Sequence, residues 1–373
     1  MPPPAPELDE FRDWASLPAL PLEEVLRGLL PCLRSLYAFA GTCRPWRRLL
    51  RACAAEVVLP RVPPLLLLCP AFRLVSFSPL VFARPLSYRL PVPAGATFLS
   101  ASRGHLILLR RGSFGCLHLV DALTGAERRT LQLPSPHFPY HYAALSPSHL
   151  LLFHSKHAFF SLPFPEHPTP NARLDWTKHT LPRAASFVTT VIEFRGRVLG
   201  LTDRAQLLEF NLDATPPNQT VRILSTTSLP DATTFDRLQL GPHLVAARNR
   251  LLLVLFMVGP KLGSMPSAGR VNKVGVYWLD MAQMIWEEVD NIGAYSLFVD
   301  CAGRSATACV DAGNCGVEGN RVYFAAPRCH TWRAVPPGCE APLNGEGGGL
   351  LSDGPMAHAP WPSQLSVYPR LFF

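Results

Sequence analysis

Charge is scarce in this chain: Asp, Glu, Lys and Arg together make up only 17% of its 373 residues, against 48% hydrophobic residues. That balance excludes a mostly disordered chain and leaves ample apolar surface for a core. Long apolar runs are also missing. The longest, Leu251 to Val258, falls far short of the roughly 20 residues a membrane helix needs. Residues 1–10 carry neither a basic stretch nor an apolar one, so a secretory signal is not expected. No Cys-x-x-Cys pair occurs among the ten cysteines, and without a secretory route these read as reduced thiols rather than a disulfide framework. The sequon at Asn218 then carries no meaning for glycosylation. A cytoplasmic or nuclear location is expected, or both.

Basic residues are in modest excess, with a net charge of +8. They are scattered or occur in small clusters such as Arg47-Arg48, with no long basic run interleaved with aromatics. A solvated surface is expected rather than a nucleic-acid interface. Proline is abundant, at 39 residues, which argues against an all-helical architecture.

Three parts are expected: a flexible N-terminus over 1–13, a helical module over 14–54 and a β-rich domain over 65–373. In the module, Leu22, Val25, Leu26 and Leu29 recur at i, i+3, i+4 and i+7 and predict one apolar helix stripe. Pro21 suits the first turn, Glu23 and Glu24 suit the positive helix end, and Pro31 is expected to stop the helix. A second helix is expected over Leu33 to Phe39, and a third from Arg44-Pro45-Trp46 to about Cys53. Three short helices cannot bury so many leucines among themselves. Either the module packs onto the following domain, or part of its stripe is a docking face.

The residues of this module, Trp14, Leu17-Pro18, Leu22, Val25-Leu26, Leu29, Leu36, Phe39 and the closing Cys43-x-x-Trp46-Arg47, resemble the F-box pattern. The resemblance implies binding to a Skp-family adaptor and, through it, to a cullin–RING ubiquitin ligase. Leu17, Pro18, Leu22, Val25, Leu26, Leu29 and Trp46 are the residues it assigns to the adaptor groove or to holding the module together. Gly28 inside the first helix, and Gly41-Thr42 where arginine-valine is usual, depart from the pattern.

From about residue 65 short apolar runs are bounded by Gly, Pro, Asn and Asp, as expected of strands. One element recurs: Gly or Asn, a basic residue, then an apolar run. It is present at 103–108, 195–199, 248–254 and 319–324, with a weaker copy at 148–153, and the first four starts are spaced by roughly 45 to 53 residues. A second element, strand, polar turn, strand, follows at 117–133, 207–224 and 274–289. Repetition of this kind predicts a β-propeller, here of about six or seven blades, in which radially arranged sheets bury each other's faces. A β-sandwich with irregular hairpins is the alternative. The residues 259–273, rich in Gly, Pro and Ser, are expected to form an inserted loop.

This half is similar to the plant KIB-type β-propeller family. The similarity lies in 102–106, Asp121-Ala122-Leu123-Thr124-Gly125, Leu133-Pro134, and a longer stretch from Val276 through Trp286, Ile292-Gly293 and 297–299 to Phe324. Asp121-Ala122 departs from that family's Asn-Pro, and the tail from Gly338 matches poorly.

No catalytic constellation emerges. Pro139 prevents the helix that would bring His137 and His141 together, and neither this pair nor His154 and His157 has a further ligand at metal spacing. Cys309 and Cys315 are too far apart for a zinc knuckle. Glu287 and Glu288 alternate across a strand. The glycines at 345–349 lack the Lys-Ser/Thr of a phosphate loop. No metal, cofactor or catalytic residue is expected, and neither nucleic acid nor membrane is an expected partner.

The expectation is therefore a mainly β chain, an F-box-like three-helix module ahead of a propeller. It would act as a non-catalytic substrate receptor with an unidentified protein target. An adaptor-independent propeller scaffold with a structural helical cap is the alternative, and a carbohydrate-active propeller enzyme a more distant one.

Overall fold

A computed structural model describes residues 16–30, 32–58, 61–62, 64–68, 73–75, 86–87, 96–111, 115–164, 175–212, 220–237, 240–258, 271–300, 306–325, 332–340 and 364–367. The expected flexible segment 1–13, the sequon at Asn218 and the glycine run 345–349 lie outside them, as does most of the expected loop 259–273. The end of that loop is corrected: Val271 to Lys273 already belong to a strand.

Three helices come first, α1 (Ala19–Leu29), α2 (Leu33–Thr42) and α3 (Arg44–Cys53), and a short π-helical turn, Ala54–Val58, continues α3. Helix α1 starts two residues before Pro21, with Pro18 as its cap, so Glu23 and Glu24 sit beyond its first turn. Their expected favourable contact with the helix end is therefore weaker, because that field fades within one turn. Among the described residues no helix is long and apolar enough to cross a membrane.

Among the described residues the strands form six four-stranded sheets, against an expectation of six or seven blades. Sheet one begins with β1 (Leu65–Leu68), β2 (Arg73–Val75) and β3 (Leu86–Ser87). Sheet two holds β4 (Ala96–Ser102), β5 (His105–Arg110), β6 (Cys116–Asp121) and β7 (Glu127–Gln132). Sheet three holds β8 (Tyr142–Leu145), β9 (His149–Phe153), β10 (Ala158–Pro163) and β11 (Thr177–Thr180). Sheet four holds β12 (Val188–Phe194), β13 (Arg197–Thr202), β14 (Leu207–Phe210) and β15 (Val221–Leu224). Sheet five holds β16 (His243–Ala247), β17 (Arg250–Val258), β18 (Val271–Asp280) and β19 (Ile285–Glu288).

Sheet six holds β20 (Ser296–Val299), β21 (Ala306–Cys309), β22 (Arg321–Ala325) and β23 (Trp332–Val335). These five sheets are each made from one contiguous run of chain. Sheet one instead is completed by β24 (Gln364–Val367), which pairs antiparallel with β1 as its first strand.

Sheets two to five are plain antiparallel meanders. Sheet six is not. Its spatial order is β21-β20-β22-β23, and β22 runs parallel to β20. This corrects the reading of 319–324 as a fifth copy of the recurring element. The other copies lead into the second strand of their sheets, whereas β22 is third, because residues 310–320 cross over before it pairs.

Neighbouring sheets share cores, and the alternation of each strand decides which. In sheet five, Leu251, Leu253 and Leu255 face Leu199, Leu201 and Leu207 of sheet four. Leu252, Val254 and Phe256 on the opposite face meet Leu297, Val299 and Phe324 of sheet six. This explains why 251–258 is the longest apolar run: a central strand buried on both faces has no polar side to alternate with. Sheets two and three, and three and four, share cores in the same way. The architecture is a mainly β propeller preceded by three helices.

Candidate functional site

The helical module is built around leucines that leave it no separate core. Leu22 and Leu26 of α1, Leu33, Leu36 and Phe39 of α2, and Leu50 and Cys53 of α3 are buried together. The same cluster runs on through Val58, Val62 and Leu65 to Phe98, Leu106, Leu108 and Val120 of sheet two. The module is thus packed onto the propeller.

The closing Cys43-x-x-Trp46-Arg47 has a structural role that the geometry makes plain. Cys43 is extended (φ −157°, ψ 170°) and serves both as the end of α2 and as the cap of α3. Trp46 lies against Phe39, with ring centroids 4.6 Å apart. Arg47 donates from Nε to the Ala40 carbonyl at 3.0 Å, filling one of the acceptors that the end of α2 leaves open. Thr42 donates to the Ala38 carbonyl at 3.1 Å.

The seven residues assigned to the adaptor surface therefore divide. Leu22 and Leu26 are buried at 3% and 0% exposure and hold the module to the propeller. Leu17, Leu29 and Trp46 are half-buried and pack against the same core. Pro18 and Val25 are exposed, Val25 at 45%. Beside them the structure adds Leu20, at 76% exposure. Sequence reasoning missed it because it lies off the periodic stripe; its signal was a leucine between two prolines with no partner at i+3 or i+4. Pro18, Leu20, Pro21 and Val25 are each exposed; Leu20 lies about 140° around α1 from Val25, with Glu24, which pairs with Arg27 at 3.7 Å, between them.

The residues weighed for chemistry do not converge. His137 and His157 are exposed. His141 places Nε2 3.2 Å from the Val188 carbonyl, while His154 stacks on Phe138. Glu287 accepts from the Trp278 indole at 2.8 Å, and Glu288 pairs with Lys273 at 2.5 Å. Cys309 and Cys315 are both buried thiols, and the neighbouring Cys309 thiol together with burial pushes Cys315 well above the ordinary thiol range. Among the described residues no group of three or more His, Cys, Asp or Glu side chains could hold a metal ion.

Comparison with known proteins places the propeller. The sequence profile of the KIB1-4 β-propeller matches residues 77–347. No curated protein matches the chain. Among solved structures, the chain is similar to the type-IX secretion component PorZ of Porphyromonas gingivalis, at 13% identity and a TM-score of 0.31, over 65% of this chain and 32% of PorZ. It is similar to the WD40 domain of SCAP from fission yeast, at 12% identity and a TM-score of 0.33, over 57% of this chain and 50% of that one. It is also similar to BamB of Moraxella catarrhalis, at 14% identity and a TM-score of 0.28, over 63% of this chain and 77% of that one. The matched part thus spans about a third of PorZ and half of the SCAP chain.

Proposed function

Since this chain belongs to the KIB1-4 β-propeller family, we propose that its propeller is the target-binding part of a non-catalytic substrate receptor. In this reading the helical module docks a Skp-family adaptor and so joins the receptor to an SCF-type cullin–RING ubiquitin ligase. The observation that carries it is that α1 leaves two large apolar side chains, Leu20 and Val25, exposed while its Leu22 and Leu26 are anchored in the core shared with the propeller. Large apolar side chains left in water on a helix that is otherwise firmly packed are what a partner groove would cover.

The mechanism is proximity. A receptor that holds its target beside the charged conjugating enzyme raises the effective concentration of target lysines without touching the bond that forms. A shared core between module and propeller serves this purpose, because it fixes the direction in which the target is presented. The compartments that go with the reading are the cytoplasm and the nucleus.

A second reading, an adaptor-independent scaffold with a structural cap, is favoured by the burial of Leu22 and Leu26 against the propeller. Co-purification with a Skp-family adaptor separates the two, run beside a Leu20→Asp, Val25→Asp variant. Both positions are exposed, so the variant is expected to fold, as checked by its thermal melt. The ligase reading expects wild type to retain the adaptor and the variant to lose it. A wild type that retains none leaves the scaffold, and a variant that binds as tightly as wild type moves the dock away from α1.

A further inference from the structure

The recurring Gly/Asn-basic element does more than start strands. It sets Arg103, Arg195 and Arg248 in left-handed backbone (φ 45°, 51° and 53°), at the turn between the first and second strands of sheets two, four and five. Such hairpin turns favour Asn or Gly, and a long L side chain there costs on the order of 1 kcal/mol. The equivalent strain is absent at Asn320 (φ 54°), which has a residue suited to it. Strain held at matching turns asks what the arginines do.

Two of them are occupied. Arg103 pairs with Glu193 at 2.7 Å, and Arg195 donates to the Asn249 carbonyl at 2.9 Å. Arg248 instead lines a cleft of about 160 Å³ between the propeller and the helical module. Arg27 of α1 and Arg61, just beyond the π-helical turn, line it from the other side. Glu56 and Asp311 line it as well, yet no ion pair within 4 Å joins either acid to Arg61 or Arg248 among the described residues. Asp311 is engaged by the Asn314 amide at 2.6 Å, and Arg27 makes a 3.7 Å contact with exposed Glu24.

We propose that this cleft binds a phosphate monoester, gripped by Arg27 and Arg61 from the helical side and Arg248 from the propeller. Three arginines lining one cleft suit a dianion with three free oxygens better than a single carboxylate, because each planar fork takes two acceptors. Phosphate held there would tie the module to the sheet-five turn. Two sources carry this chemistry, a phosphorylated side chain on a peptide and a free phosphate ester. The inference does not depend on adaptor binding.

The full chain is titrated at constant ionic strength with inorganic phosphate, O-phosphoserine, and a phosphoserine peptide beside its unphosphorylated form, following Tm and calorimetric heat. Wild type is expected to gain Tm with phosphate. An Arg61→Gln, Arg248→Asn variant is expected to need at least about tenfold more, since each lost charge-assisted contact is worth more than 1.4 kcal/mol. Asparagine suits the turn at 248, so this variant keeps the fold. Glu56→Gln, which removes a repelling carboxylate, is expected to bind severalfold tighter. A phosphopeptide binding tenfold more tightly than O-phosphoserine supports the site with a peptide as its ligand, and equal binding supports it with a free ester. The proposal is overturned by an absent response in wild type or an equal one in the double variant. It also fails if the double variant melts several degrees lower without phosphate, for the arginines would then serve the fold.

Discussion

Arg47 reaches back across the α2–α3 corner to donate from Nε to the carbonyl of Ala40 at 3.0 Å. The neighbouring Trp46 covers Phe39 from the same turn of helix. The end of α2 is thus finished by two consecutive side chains of α3. Arg47→Ala is expected to lower stability by about 1 kcal/mol, the net value of one such hydrogen bond. Trp46→Ala is expected to cost more, roughly 2 to 3 kcal/mol, since a half-buried indole and an aromatic pair are lost together. Urea unfolding of the two variants checks both the sizes and their order.

Gly28 is exposed in the last turn of α1, and a methyl group added there would meet nothing within 4 Å. Its departure from the F-box pattern therefore has a purely conformational cost. Gly28→Ala is expected to stabilise the protein by roughly 0.5 to 1 kcal/mol. A higher urea midpoint with an unchanged slope would show it.

Gly200 in β13 is the opposite case. A Cβ there would come 2.5 Å from the Phe210 ring, and that ring packs edge-on against Phe153 and Phe159. The ring has no room to yield, so Gly200→Ala is expected to destabilise by about 1 to 3 kcal/mol. Differential scanning calorimetry would register the drop in Tm.

His243 on the first strand of sheet five is fully buried, and burial pushes its imidazole down to about 4, with the Leu240 backbone offsetting only part of this. Neither ring nitrogen meets a hydrogen-bond partner of normal geometry. The unfolded chain takes up this proton near pH 6.5, while the folded chain refuses it until about pH 4. Stability is therefore fully present above pH 6.5 and declines as pH falls toward 4, by roughly 3 kcal/mol from this group. Urea midpoints measured between pH 7.5 and 4.5 are expected to fall, and His243→Leu should flatten the decline. Burial lowers His154 and His179 as well, so a smaller slope should persist.

Much of this architecture is local, which is why the residues announce it. Strand, turn and strand at 117–133, 207–224 and 274–289 are the third and fourth strands of sheets two, four and five, because a meander is written by hydrophobic runs and turn residues alone. Asp121 shows how a departure from a family pattern can preserve a turn. It is buried, yet the Thr124 amide and hydroxyl and the Arg128 guanidinium outweigh that burial and hold its carboxyl below the usual range.

What was not legible is non-local. The pattern of β22 is the same whether it lies second or third in a sheet, so nothing in 319–324 signals its parallel pairing with β20. The stripe of α1 could be read by period, but not which surface would cover it. That is why Leu22 and Leu26 looked interchangeable with Val25, and why Leu20 went unnoticed.

The pairing of β24 with β1 also has a consequence in time. During synthesis the helices and β1 leave the ribosome long before the partner that completes sheet one, which is made only after the other five sheets. Until Gln364 to Val367 emerge, one edge of β1 stays open beside the leucines of the helical module. The nascent chain therefore carries an adhesive seam while those five sheets are made, and a premature stop before residue 364 would leave that seam permanently unsealed.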